Sequence, residues 1–173
     1  MSDTRVLNLI QFLKQHASSE HHFQRLVPGM DVAPLECTWE TAATEVDISK
    51  CLSTNNWFFP EDYKKFLLQH NGAVLFKEPY YGGGTELLSI EKMQIISQTY
   101  ENIPPHCFPF AWTDHRIGAV CMDSIRCREG EKPYLFFLDA MDFMEEAIPI
   151  PLTFTEWFER LITCQGQEYW NWK

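Results

Sequence analysis

From Phe59 to Gly72 this chain carries a complete short helix with its start and stop signals written in. Pro60 suits a first helical turn, whose N–H groups lack intrahelical partners. Glu61 and Asp62 put negative charge at the positive end of the helix dipole. Tyr63, Phe66, Leu67 and His70 fall at i, i+3, i+4 and i+7, on one helix face. Asn71 and Gly72 tolerate the left-handed conformation that ends helices. The acids, the tyrosine and the histidine therefore read as a cap, a core face and a stop signal. The helix organises a domain; it does not mark a site.

The flanking chain supplies the other layer. Residues 4–16 predict an amphipathic helix, with Val6, Leu9, Ile10 and Leu13 on one face and Asp3 or Thr4 as cap. Residues 17–38 read as a long connection and 39–53 as a second helix. Short apolar runs fit for strands follow at 73–76, 86–88, 107–112, 117–122, 134–138 and 147–150. Ser89 caps a helix starting at Ile90, which Pro104-Pro105 ends. The charged stretch 126–132 reads as a turn. Thr153 or Thr155 caps a last helix bearing Phe154, Trp157, Phe158 and Leu161, and Gly166 stops it. This order predicts an α+β fold with a mostly antiparallel sheet of about four to six strands packed by helices. The expected organisation is a single domain: an N-terminal helix and extension (1–38), a core (39–165) and an aromatic tail (166–173). That tail either packs back on the domain or stands out as an interface.

Composition narrows the function classes. A length of 173 residues suffices for one domain with a full core, and 13 Phe, 6 Tyr and 6 Trp exclude a disordered chain. The apolar runs are too short for a membrane span, and the N-terminus lacks a signal peptide's ordered regions, so a cytoplasmic protein is expected. The six cysteines include no CxxC pair and read as reduced, mostly buried thiols. No Cys/His spacing suits zinc and HExxH is absent, so no metal and no cofactor are expected. Gly82-Gly83-Gly84 is followed by Thr85-Glu86, whose carboxylate would repel a phosphate, so a turn is the better reading. His106-Cys107 is a sequence neighbour pair, not a recognised catalytic dyad. GxSxG is absent, and neither Glu61/Asp62 nor Glu145/Glu146 shows the opposed environments that acid–base work requires. No catalytic residue is expected.

Charge is more informative. The net charge is −10, which disfavours direct nucleic-acid binding and suits a basic partner. From Pro133 to Glu159 there are six acids and no Lys or Arg. This stretch reads either as a partner surface or as a solvated face. The candidate partner contacts are Tyr80, Tyr81, Glu86, Asp114, His115, Asp139, Asp142, Glu145 and Glu146, on sheet edges and loops.

Four segments resemble the SUKH superfamily, the Smi/Knr-like immunity-protein fold. They are the Phe59–Gly72 helix, Glu86–Lys92, Phe108-Pro109-Phe110-Ala111 with Gly118 to Asp123, and Phe154–Phe158. Phe59 replaces the family's usual leucine, and the turn 112–117 lacks its glycine-rich acidic tip. The resemblance runs from about residue 40 to 163 and implies a curved sheet packed by helices. It also implies a non-enzymatic immunity protein that binds and neutralises a bacterial toxin domain, often a basic nuclease. The alternative is a regulatory scaffold unrelated to toxins. A monomer or weak homodimer is expected.

Overall fold

The computed structural model describes residues 4–18, 20, 22–26, 31–80 and 82–172. Its helices are α1 (Arg5–His16), α2 (Glu45–Asn55), α3 (Glu61–Leu67), α4 (Ile90–Thr99), α5 (Ser124–Glu129) and α6 (Phe154–Thr163). Its strands are β1 (Phe23–Leu26), β2 (Val32–Trp39), β3 (Ala73–Lys77), β4 (Thr85–Leu87), β5 (Cys107–Thr113), β6 (Gly118–Asp123), β7 (Leu135–Asp139) and β8 (Ile148–Ile150). All neighbours pair antiparallel, and the eight strands stand in chain order in one open sheet. The α+β fold with an antiparallel sheet is what the sequence predicts, but the sheet has eight strands and not the expected four to six.

Two strands come from the segment read as a connection. β2 buries Ala33, Leu35 and Cys37 and turns the residues between them outward. Pro34 and Glu36 break its apolar run, so only the period-2 alternation marks it as a strand. β2 extends through Trp39, and α2 begins only at Glu45, later than the expected 39. Its start is fixed by a capping box: Asp47 N donates to Thr44 Oγ1 (3.1 Å) and Thr44 N donates to Asp47 Oδ2 (3.0 Å). The charged stretch after β6 contains α5 where a plain turn is expected. Ile125 N (2.9 Å) and Arg126 N (3.1 Å) donate to Asp123 Oδ1, and Gly130 closes the helix at φ +71°.

α1, α3 and α6 cover one face of the sheet. Between them and the strands lies an aromatic core built on Phe59, Tyr63, Phe66, Phe108, Phe110, Phe154, Trp157 and Phe158. Edge contacts dominate, for example Phe110 on Trp157 with centroids 4.9 Å apart, as ring quadrupoles favour. The opposite face buries a smaller cluster of Ile103, Cys107, Ala119, Cys121, Phe136 and Leu138.

α3 is thus a core element. Pro60 is its N-cap, one position before the first turn, and the face of Tyr63, Phe66 and Leu67 is buried. Gly72 adopts φ +110°, and a Cβ there would meet Leu87 O at 2.9 Å, so only glycine fits. Asn71 does something else: its Oδ1 accepts Ile90 N at 2.9 Å, capping α4. Ser89 caps the same helix through Lys92 N (3.2 Å), and Thr153 caps α6 through Glu156 N (3.2 Å). The tail packs back through buried Trp170, which stacks on Trp157 at 5.9 Å, while Trp172 projects outward. Among the described residues no helix is long and apolar enough to cross a membrane.

Candidate functional site

Strand register sorts the connections onto two ends of the sheet. The hairpin-closing pairs are Leu26↔Val32, Leu75↔Thr85, Thr113↔Gly118 and Phe137↔Ile148. The pairs Glu36↔Lys77, Thr85↔Thr113 and Gly118↔Asp139 put these four closures at one end. The helical connections through α2 and α3, α4, and α5 leave from the other end. One edge of the molecule is therefore built of short turns and the other of helices.

Most of the sequence-nominated contacts converge on the turn-built edge. Tyr80 lies in the β3–β4 connection and is 87% exposed. Tyr81 lies outside the described residues. Asp114 and His115 form the exposed tip between β5 and β6. Asp139 ends β7, and Asp142, Glu145 and Glu146 follow in the β7–β8 loop, which includes a 3-10 turn over Met144–Glu146. Glu86 is set apart. It sits inside β4, opposite Trp112, and pairs with Lys92. There it borders a cavity of about 280 Å³ lined also by Glu40, Asn71 and Glu91. Asn71 Nδ2 donates to Glu91 Oε2 at 3.2 Å within it.

A polar network sets the shape of the turn-built edge. Arg116 donates from Nε to Asp139 Oδ2 (2.9 Å) and from an Nη to Asp142 Oδ2 (2.8 Å). Its guanidinium lies 5.5 Å from the centre of the Phe137 ring. Asn102 Nδ2 donates to the backbone carbonyls of Asp139 (3.1 Å) and Asp142 (3.0 Å). Glu168 is only 8% exposed and accepts His115 N (3.2 Å), Arg116 N (3.3 Å) and Asn171 Nδ2 (2.9 Å). Ala140 N donates to Ile117 O at 3.0 Å. The tail, the β5–β6 tip and the β7–β8 loop are thereby tied into one unit. The Met141 N–H, then Arg116, holds the Asp139 carboxyl below its ordinary range. The same pair of carboxylates raises the already high Arg116.

The nominated acids divide by role. Asp139 and Asp142 are occupied by Arg116. Glu146 accepts Phe143 N at 3.1 Å and braces its own turn. Asp114 and Glu145 are exposed. Sequence reasoning misses Asn102, Glu168 and the long-range bonds of Arg116, because these reach residues 23 to 53 positions away. It also misses the apolar side chains of this edge, apart from Trp172 in the tail, for which an interface is one of the two expectations. Met141 is 89%, Phe143 73% and Trp172 63% exposed, and Ile117 is also exposed.

Two other clusters have structural explanations. His106, Cys107 and Asp123 offer ligand atoms that all lie within 4.8 Å of one another. Asp123 is already committed to the start of α5, with Arg126 Nε 3.8 Å from its Oδ2. Burial pushes the Cys107 thiol up to about 12, so it stays protonated near neutral pH. The three glycines join strand to strand. A Cβ on Gly84 would lie 2.5 Å from Leu75 O, so this glycine permits close backbone approach within the hairpin.

Comparison with known proteins gives the family. The family model described as SMI1 / KNR4 family (SUKH-1) matches residues 42–160. The chain is 34% identical to "Uncharacterized protein YnaB" of Bacillus subtilis (strain 168) over 113 residues, 65% of this chain and 72% of that protein. It is 26% identical to "Uncharacterized protein YobM" of the same organism over 138 residues, 76% of this chain and 71% of that protein.

Proposed function

The chain belongs to the SMI1 / KNR4 family (SUKH-1), and on that premise we propose that it is a non-enzymatic immunity protein. It binds a basic toxin domain in the cytoplasm and blocks it by occupying its active face. The observation that carries this reading is the distribution of charge. The connections 78–84, 114–117 and 139–147 hold six acids (Glu78, Asp114, Asp139, Asp142, Glu145, Glu146) against one base, Arg116.

The chemistry follows from that charge. A nuclease site is lined with cations that hold phosphates, and carboxylates on a rigid edge can take those places. The field of a chain at −10 speeds the encounter with such a partner and disfavours nucleic acid itself. In this reading Tyr80, Tyr81, Asp114, His115, Glu145 and Glu146 face the toxin. Asp139 and Asp142 hold the loop that presents them, and Glu86 contributes at the margin. No cofactor, metal or membrane is required.

Co-expression with the toxin domain encoded beside this gene tests the proposal. Growth should be rescued, and a complex should form that weakens as salt rises. Continued killing with no complex at low salt defeats the proposal for that pair.

A further inference from the structure

Exposed apolar side chains gather at one place on the turn-built edge. Ile117 follows Arg116 in the chain, Met141 and Phe143 flank its partner Asp142, and Trp172 lines a depression with Arg116; all four are exposed. Ile117 is bonded through its carbonyl to Ala140, the residue before Met141. Trp172 shares a shallow depression with His115 and Arg116. Large apolar groups bunched on a surface mark an interaction site more often than scattered ones do. Here each is carried by a segment that buried or ion-paired groups hold in place: Glu168 for the tip and tail, Arg116 and Asn102 for the loop. Such a surface loses little conformational freedom on binding.

We propose that Met141, Phe143, Ile117 and Trp172 are the energetic anchor of the interface, with Asp114, Glu145 and Glu146 as its charged rim. This inference rests on the toxin-binding reading and specifies the partner's side of the contact. That side is a protein surface with an apolar depression bordered by lysines or arginines. Charge decides between this occupant and a second copy of the chain. Two copies related by a twofold axis would bring the same carboxylates toward one another, and like charges across an interface are repelled. A basic surface neutralises them. The division of labour is also set: buried apolar contacts control dissociation, while rim charges control the rate of encounter.

The test uses the purified full chain and the toxin domain from the co-expression experiment, with rate constants measured by surface capture. Met141→Ala with Phe143→Ala should weaken binding about 100-fold, mainly through faster dissociation. Asp114→Lys with Glu145→Lys, two exposed rim acids, should slow association about tenfold at low salt and leave dissociation nearly unchanged. Val46→Ser, on the exposed side of α2, serves as the distant control and should stay within about twofold. All these side chains are exposed, so melting curves should match the wild type and report any misfolding. If the Met141/Phe143 variant binds like the wild type, the anchor assignment is wrong and the toxin-binding reading survives. If the wild-type chain does not bind the toxin at all, both fall. Sedimentation should show a monomer; a stable dimer abolished by the Met141/Phe143 variant would replace the proposed occupant with a second copy.

Discussion

At the scale of single residues, Arg116 and Asp139 show how the edge keeps its form. Asp139 accepts its own loop's Met141 N–H at 3.0 Å as well as the guanidinium. Its pKa is depressed in the folded protein. A depressed carboxyl stabilises fully above its unfolded value, about 3.9, and loses that contribution as pH falls through the lower folded value. The β7–β8 loop should therefore hold from neutrality down to about pH 4 and loosen below it. Hydrogen exchange at Ala140 and Met141, corrected for intrinsic rates, reads this directly. Protection should fall steeply below pH 4, and Asp139→Asn should show low protection even at pH 7. Equal protection at pH 6 and pH 2.5 would remove the carboxylate from this role. The group is partly exposed, so screening keeps the effect local to the loop.

At the scale of elements, the two acids that open α3 separate. Both suit the helix dipole, and from sequence they are equivalent. In the fold, Glu61 is largely exposed and pairs with Lys64 one turn on (2.6 Å). Asp62 instead reaches α6, where its Oδ2 accepts Thr155 N (2.9 Å) and Thr155 Oγ1 (2.8 Å). It joins the starts of two helices that share the aromatic core. Asp62→Ala strands buried Thr155 and should cost about 1–3 kcal/mol, whereas Glu61→Ala should cost less than about 0.5 kcal/mol. Urea melts of the two variants decide it, and equal midpoints would show that Asp62 serves only the dipole. This pair also marks what sequence reading reaches. Caps written locally are legible: Ser89 for α4 and Thr153 for α6. Partners 93 residues apart are not. β1 and β2 escape for a related reason, since an eight-residue strand with Pro34 and Glu36 inside it shows its period only once burial is known.

At the scale of the molecule, the aromatic core lies on one face of the sheet, and the candidate contact edge lies at one end of it. The aromatic core between α1, α3, α6 and the strands was legible as an apolar pattern, and its chain order identified the family segment by segment. The candidate contact edge was legible mainly as an excess of acids, with Tyr80, Tyr81 and His115 nominated beside them. Its assembly depends on strand order, because antiparallel strands in chain order send successive connections to alternate ends, and every second one here is a short turn at the same end. Its apolar members were hidden because exposed Met141 and Phe143 look in sequence like any core residue. The separation has a consequence. Turns closed by strand register tolerate change better than buried cores do. Replacing residues 140–146 with a Gly/Ser linker of equal length removes Met141, Phe143 and two rim acids, yet leaves the aromatic core intact. The melting temperature should fall by no more than about 5 °C, while toxin binding is lost. Phe110→Ala does the reverse. It opens the centre of the core and should cost about 3–5 kcal/mol, while the protein that remains folded binds with unchanged rate constants. A linker variant that unfolds as readily as Phe110→Ala would show that the turn-built edge is part of the folding core, and the two would have to be treated as one.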